Sequence, residues 1–345
     1  MSNKGVSMNK KIDRKKILDL ILNNAMYIII ALVVIYVAIK RPKFLGVASI
    51  INILLLTAAK LPIALGIAGC IVLAGTDISA GRIVGLSSVI TASLLTNVSK
   101  IWPQLTQALP IPLVLLIVIA VGALIGFVNG FSVAEFSLHP YIVTLSTQLI
   151  TYGIILLYMQ GGTNNGMSLS GMIEPYKELI TGTLFKIGTV SVPMYVLYAL
   201  IFTVIIWFIW NKTVFGKNMF AVGSNPTAAE VSGVNVKKTI IMVFMLAGVM
   251  YAITGFFDAA RIGSATAATG QNYESDAISA CVIGGVSFVG GTGKISGVLV
   301  GVLLLQVIFT GLNFLSVSAN MLYIIKGLII LIACAIDMRK YLTKK

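Results

Sequence analysis

The 345-residue sequence predicts an all-α polytopic membrane protein with about ten transmembrane helices, some of them broken, and a short capped helix in one cytoplasmic loop. Three observations lead there. Hydrophobic residues make up 58% and charged residues 10%, whereas a water-soluble protein carries about 25% charged residues. The 25 Lys and Arg outnumber 11 acids, yet they gather at the two ends and between apolar runs instead of along one amphipathic face. Finally, the apolar runs have the length of membrane spans, about 20 residues for a core of about 30 Å. The charge pattern follows the positive-inside rule and argues against a nucleic-acid partner.

Taken in order, the candidate spans are residues 24–39, 50–74, 83–98, 112–134, 141–160, 192–211, 239–258, 276–290, 297–313 and 321–337. The first follows six basic residues and ends in Lys40-Arg41-Pro42-Lys43 with no small-x-small cleavage site, so it reads as an uncleaved span. Lys60, Pro62, Gly66 and Gly69 interrupt the second, which leaves a broken helix, or two short ones, as open as one straight span. Ten crossings return a basic tail (Arg339, Lys340, Lys344, Lys345) to the side of the basic N-terminus, and positive-inside places both in the cytoplasm. The chain thus divides into a basic segment 1–23, one transmembrane domain 24–338 and a basic tail 339–345. Lys40, Arg41 and Lys43 fall on the outer side and oppose the rule, while Lys60 and Lys326 fall inside spans.

Two hydrophilic stretches stand out. The outer one, 161–191, is turn-rich and charge-balanced and reads as a solvated connection. The inner one, 212–238, is net basic and holds a delimited short helix. Asn225 suits the N-cap, Pro226 the first helical position, where its missing N–H costs nothing, and Gly233 the C-terminal stop. Two turns are not stable alone. Ala228, Ala229 and Val231 offer apolar surface and Glu230 is the loop's sole acid, so the helix either lies on the membrane surface or is docked upon.

Chemistry-bearing motifs are sparse. His139 precedes Pro140 at a span start and reads as a boundary residue; Cys70, Cys281 and Cys334 lie in apolar runs and read as small buried hydrophobes. Gly290-Gly291-Thr292-Gly293-Lys294-Ile295 fails as a phosphate loop, because Phe288 stands at the first glycine and Ile295 follows the lysine. It reads as a turn between spans. Neither a bound cofactor nor a metal is expected on this chain. Asp77 and Arg82 could neutralise each other across a Gly-rich break, and Glu274 and Asp276 open a span where the helix dipole favours acids. Gly-rich breaks at membrane depth could equally line a pathway. With Asp77 and Ser79, the polar Asn129, Gln148, Tyr152 and Asn313 are candidates for hydrogen bonds to a neutral solute or to a neighbouring helix. Gly81-x-x-x-Gly85, Gly122-x-x-x-Gly126 and Gly297-x-x-x-Gly301 predict close helix packing.

Several of these segments together carry a resemblance. They are Gly75-Thr76-Asp77-Ile78-Ser79-Ala80-Gly81-Arg82, Phe215 to Asn218, Ala221 to Val236 and Ala260 to Ala265. Tyr273 to Ile278, Ile283-Gly284-Gly285 and Gly290-Gly291 complete the set. Over almost its whole length the chain resembles the membrane permease subunits of bacterial ABC sugar importers of the ribose and galactose type. Thr-Asp-x-Ser-Ala-Gly-Arg makes it most similar to the galactose and methyl-galactoside subgroup, while Ser275 replaces a leucine usual in relatives. The resemblance implies a passive path subunit in the bacterial inner membrane, paired with a second permease copy. It further implies a cytoplasmic ABC ATPase that holds ATP and Mg, and an extracytoplasmic sugar-binding protein. It makes residues 212–238 the cytoplasmic coupling loop and their short helix the coupling helix that docks on the ATPase, through Gly223, Asn225, Pro226, Ala228, Ala229, Glu230, Ser232 and Gly233. A self-sufficient ion-coupled transporter using Asp77 or Asp276 is the rival class.

Overall fold

A computed structural model describes residues 25–342. The basic N-terminal segment and the last three residues, on which the predicted orientation largely rests, lie outside them. Thirteen α-helices account for most of the described chain. They are α1 (Ala25–Lys40), α2 (Val47–Val72), α3 (Ala80–Leu94), α4 (Ile111–Phe136), α5 (Pro140–Met159), α6 (Glu174–Thr181) and α7 (Met194–Lys212). After these come α8 (Val214–Ser224), α9 (Pro226–Val231), α10 (Val236–Ile262), α11 (Tyr273–Ile283), α12 (Ile295–Phe314) and α13 (Ala319–Leu342).

Each predicted span has its helix. Six, namely α2, α4, α5, α7, α10 and α12, are long and apolar enough to cross a bilayer. The chain is a multi-pass membrane protein. One span resolves an open alternative and another departs from expectation. α2 runs unbroken through Pro62, at a position where every neighbour from Leu61 to Val72 is buried in protein, the setting in which a membrane helix tolerates a missing N–H. α11, in contrast, has 11 residues, about 17 Å at the helix rise, so the eighth span is a half-helix entered and left through irregular backbone.

α2 and α10 form the centre, with α3, α4, α11 and α12 packed around them and α1 and α13 at the rim. Glycine permits the closest approaches. At Gly122 and Gly126 a side chain would collide with the backbone of α10 at Gly248 and Phe244; at Gly301 it would strike Ala280 of α11. The Gly122–Gly126 and Gly297–Gly301 pairs are therefore helix-packing seams, as their spacing predicts, whereas Gly81 and Gly85 meet the turn at Thr269–Gly270 and the Glu274 side chain.

The outer stretch 161–191 is more built than its composition suggests. It carries α6, whose Tyr176 is fully buried and donates its hydroxyl to the Phe256 carbonyl; burial also pushes that phenol's pKa up. Two short antiparallel pairs join it: β1 (Leu169–Ser170) with β4 (Ser264–Ala265), and β2 (Thr183–Ile187) with β3 (Val190–Pro193). The basic loop likewise gains α8, a helix ahead of the expected one.

Candidate transport path and coupling surface

α2 ends at Val72, and residues 73–79 form a turn and irregular backbone before α3 begins. Asp77 closes this break. Its Oδ1 accepts the Ser79 backbone N–H at 2.9 Å and the Ser79 hydroxyl at 2.6 Å. Ser79 Oγ accepts Asn129 Nδ2 of α4 at 3.0 Å, and Asn129 Oδ1 accepts the Thr147 hydroxyl of α5 at 2.6 Å. Beside it Thr144 donates to the Thr76 carbonyl and accepts the Ile78 N–H. All four relay members are buried. Asn129 lies seven residues from the end of α4, so the foot of α3 sits about 10 Å in from the bundle's end. Irregular backbone at that depth is held by protein groups, the condition under which a membrane protein permits it.

A second break mirrors the first. Between α10 and α11, residues 263–272 fold back so that Gly270, at φ +77°, fits against Gly81 and Gly85 of α3. The Glu274 carboxylate occupies the space a side chain on Gly81 would need. Thus α3 and α11, two short helices, bring their N-termini together inside the bundle. Arg82 is the one residue of α3 that is not buried. It stacks on the Tyr152 ring at 4.1 Å and donates to the Ala267 carbonyl at 3.1 Å. The expected Asp77–Arg82 ion pair does not form: Asp77 is turned to Ser79, and the Gly-rich segment directs Arg82 to α5 instead. Glu274 and Asp276 do stand in the first turn of α11, and Asp276 has a partner in Lys326 of α13 at 2.7 Å. Close by, the Lys60 ammonium lies over the Tyr273 ring, within electrostatic reach of Asp258 and Asp276, while Asp258 holds Arg261 at 2.8 Å.

At the end of the bundle where α2 finishes lies the delimited helix. Asn225 Oδ1 accepts the Ala228 N–H at 3.0 Å, Pro226 opens α9, and Ser232 returns its hydroxyl to the Ala228 carbonyl. Gly233 adopts φ +83°, the left-handed conformation that ends a helix without a Cβ penalty. Ala229 alone of α9 is buried, whereas Ala228, Glu230 and Val231 face outward. Gly223 is different in kind: it is buried, and a side chain there would collide with the Val72 carbonyl of α2. Gly290 and Gly291 pack against Gly223 and Ser224. Alongside runs an open groove of about 430 Å³ lined by Phe220, Gly284, Gly285, Thr292, Gly293 and Lys294.

Comparison with known proteins matches residues 49–334 to a family described as branched-chain amino acid transport system / permease component. The chain belongs to that permease family. It is 43% identical over 337 residues to the galactose/methyl galactoside import permease protein of Haemophilus influenzae, covering 97% of this chain and 99% of the relative. The same figures hold for the Escherichia coli protein of that name. The ribose import permease protein of Bacillus subtilis is 33% identical over 309 residues, 90% of each chain. No solved structure matches.

Of the six polar residues singled out from this permease's sequence, Asp77, Ser79 and Asn129 are joined in one buried relay. Gln148 and Tyr152 are half-buried on neighbouring turns of α5, and Asn313 is exposed on the last turn of α12, apart from the rest. Sequence reasoning missed Thr144, Thr147 and the Lys60–Lys326 surroundings. A signal existed: a lysine inside a span requires an acid, and the acids in or beside spans are few.

Proposed function

We propose that this permease is the transmembrane subunit of an ATP-binding-cassette importer that moves galactose or methyl galactoside inward. The observation that carries the reading is 43% identity across nearly the whole chain to galactose/methyl galactoside permeases, against 33% to a ribose permease. Its termini and α9 face the cytoplasm. ATP and Mg are held by a separate ABC ATPase, consistent with a Gly290–Lys294 loop that lacks the phosphate-loop spacing and is packed against Gly223 and Ser224. A sugar-binding protein delivers solute at the opposite end, and a second copy of the chain completes the path.

Within that assembly, the exposed Ala228, Glu230 and Val231 of α9 contact the ATPase, and the Asn225 and Gly233 caps hold α9 in shape. Gly223 lets α8 seat directly on α2. α11 runs from the groove beside α8 to the junction with α3, so a push at the docking surface reaches Glu274 through one rigid element. Asp77, Ser79 and Asn129 keep the α2–α3 break closed, and Arg82, Tyr152 and Gln148 present hydrogen-bonding groups toward the solute.

Reconstitution of the chain with its ATPase and binding protein in proteoliposomes tests the reading. ATP-dependent galactose accumulation, competed by methyl galactoside and not by ribose, is expected. Gradient-driven uptake by the chain alone would replace it with the ion-coupled class.

A further inference from the structure

The end of the bundle opposite α9 carries a basic corner. Lys40 closes α1, Arg41 follows, and Lys43 lies in a single 3-10 turn, Pro42–Leu45. All three are exposed, and with Pro42, Phe314 and Ser316 they line an open groove of about 480 Å³ that has no acidic residue in its wall. Among the described residues no carboxylate lies within ion-pair distance of them.

The corner is rigid. Phe44 is buried among Val37 and Ile53 and meets Phe314 edge-on at 5.7 Å. The Arg41 N–H donates to the Val37 carbonyl at 2.7 Å, and the Phe44 N–H to the Arg41 carbonyl at 2.9 Å. Below the cations run two exposed apolar stripes. Leu32, Ile35, Tyr36 and Ile39 form one on α1, and Val47, Ile50 and Leu54 the other on α2, at helical spacing.

We propose that this corner is a binding site for the headgroup of an anionic phospholipid, whose acyl chains lie along the two stripes. On the topology proposed above, three cations stand at the membrane face where the positive-inside rule disfavours them, and no carboxylate among the described residues pairs with them. A phosphodiester at headgroup depth supplies a counter-ion, as at other basic pockets between membrane helices. The apolar stripes decide between partners: an acidic protein or a free phosphate uses the cations alone, whereas a lipid uses both surfaces. The site belongs to the leaflet opposite α9.

The test uses the purified full chain in neutral-detergent micelles, titrated with dioleoyl-phosphatidylglycerol and followed by native mass spectrometry and thermal unfolding. One lipid retained per chain and a saturable rise in the unfolding midpoint are expected. The Lys40→Gln/Arg41→Gln/Lys43→Gln variant should bind at least tenfold more weakly, and Lys100→Gln/Lys186→Gln, which removes two other cations of that end, should bind as the parent does. The triple variant changes only exposed side chains and leaves the core untouched, and unchanged far-ultraviolet circular dichroism verifies its folding. Equal retention of phosphatidylcholine, a parental response in the triple variant, or the same effect from glycerol phosphate would overturn the proposal. So would loss of association with the purified sugar-binding protein in the triple variant while lipid retention stays unchanged.

Discussion

Lys326 and Asp276 belong to different helices, and their 2.7 Å contact is largely shielded from solvent. Removing one partner of such a pair strands the other charge, at a cost of about 3–5 kcal/mol. Lys326→Ala should therefore lower the unfolding midpoint far more than the double variant Lys326→Ala/Asp276→Ala, and a thermal-unfolding double-mutant cycle measures the difference. The Asp77 relay gives a second expectation. Ser79→Ala takes the hydroxyl from between Asp77 and Asn129 and leaves both buried groups short of a partner, costing about 1–3 kcal/mol. Ser132→Ala, on α4 but outside the relay, serves as the matched comparison and should unfold with the parent.

At the scale of elements, α9 owes its shape to its ends. Asn225→Ala removes a cap worth about 1 kcal/mol and should reduce transport-coupled ATP hydrolysis while leaving the assembled amount of chain unchanged, as detergent-extracted complex would show. Glu230→Lys with Gly233→Val goes further and should abolish co-purification with the ATPase; retention of both association and uptake would refute docking at α9. Gly301→Leu forces α12 off Ala280, so uptake should fail even where the ATPase still binds. The ten apolar segments were legible from length alone and each has its helix, six of them long and apolar enough to cross a bilayer, and the cap chemistry of α9 was legible residue by residue. The half-length of α11 was not, because hydropathy is the same whether a run crosses as one helix or covers part of the depth as irregular backbone. α6 stayed hidden for a related reason: its burial comes from Tyr176 reaching α10, a partner that local composition does not reveal. Likewise, sequence proximity pairs Asp77 with Arg82, whereas its partners in the fold are Ser79 and, through it, α4 and α5.

For the whole molecule, the centre formed by α2 and α10 is reached from both ends by short helices whose N-termini meet at Gly81 and Glu274. That arrangement has a bearing on how the chain is made. α3 has 15 residues and is buried on every side except at Arg82, and much of its cover comes from α10, which is synthesised far later. A ribosome-bound chain that stops before α10 therefore exposes Ser87, Ser88 and an unpacked glycine seam to lipid. Biogenesis has a waiting period, in which α3 is either sheltered by an insertase or offered to a membrane protease. Nascent chains truncated before residue 236 should be degraded rapidly in cells, and those extended past residue 262 should survive, a contrast that pulse-chase labelling would display.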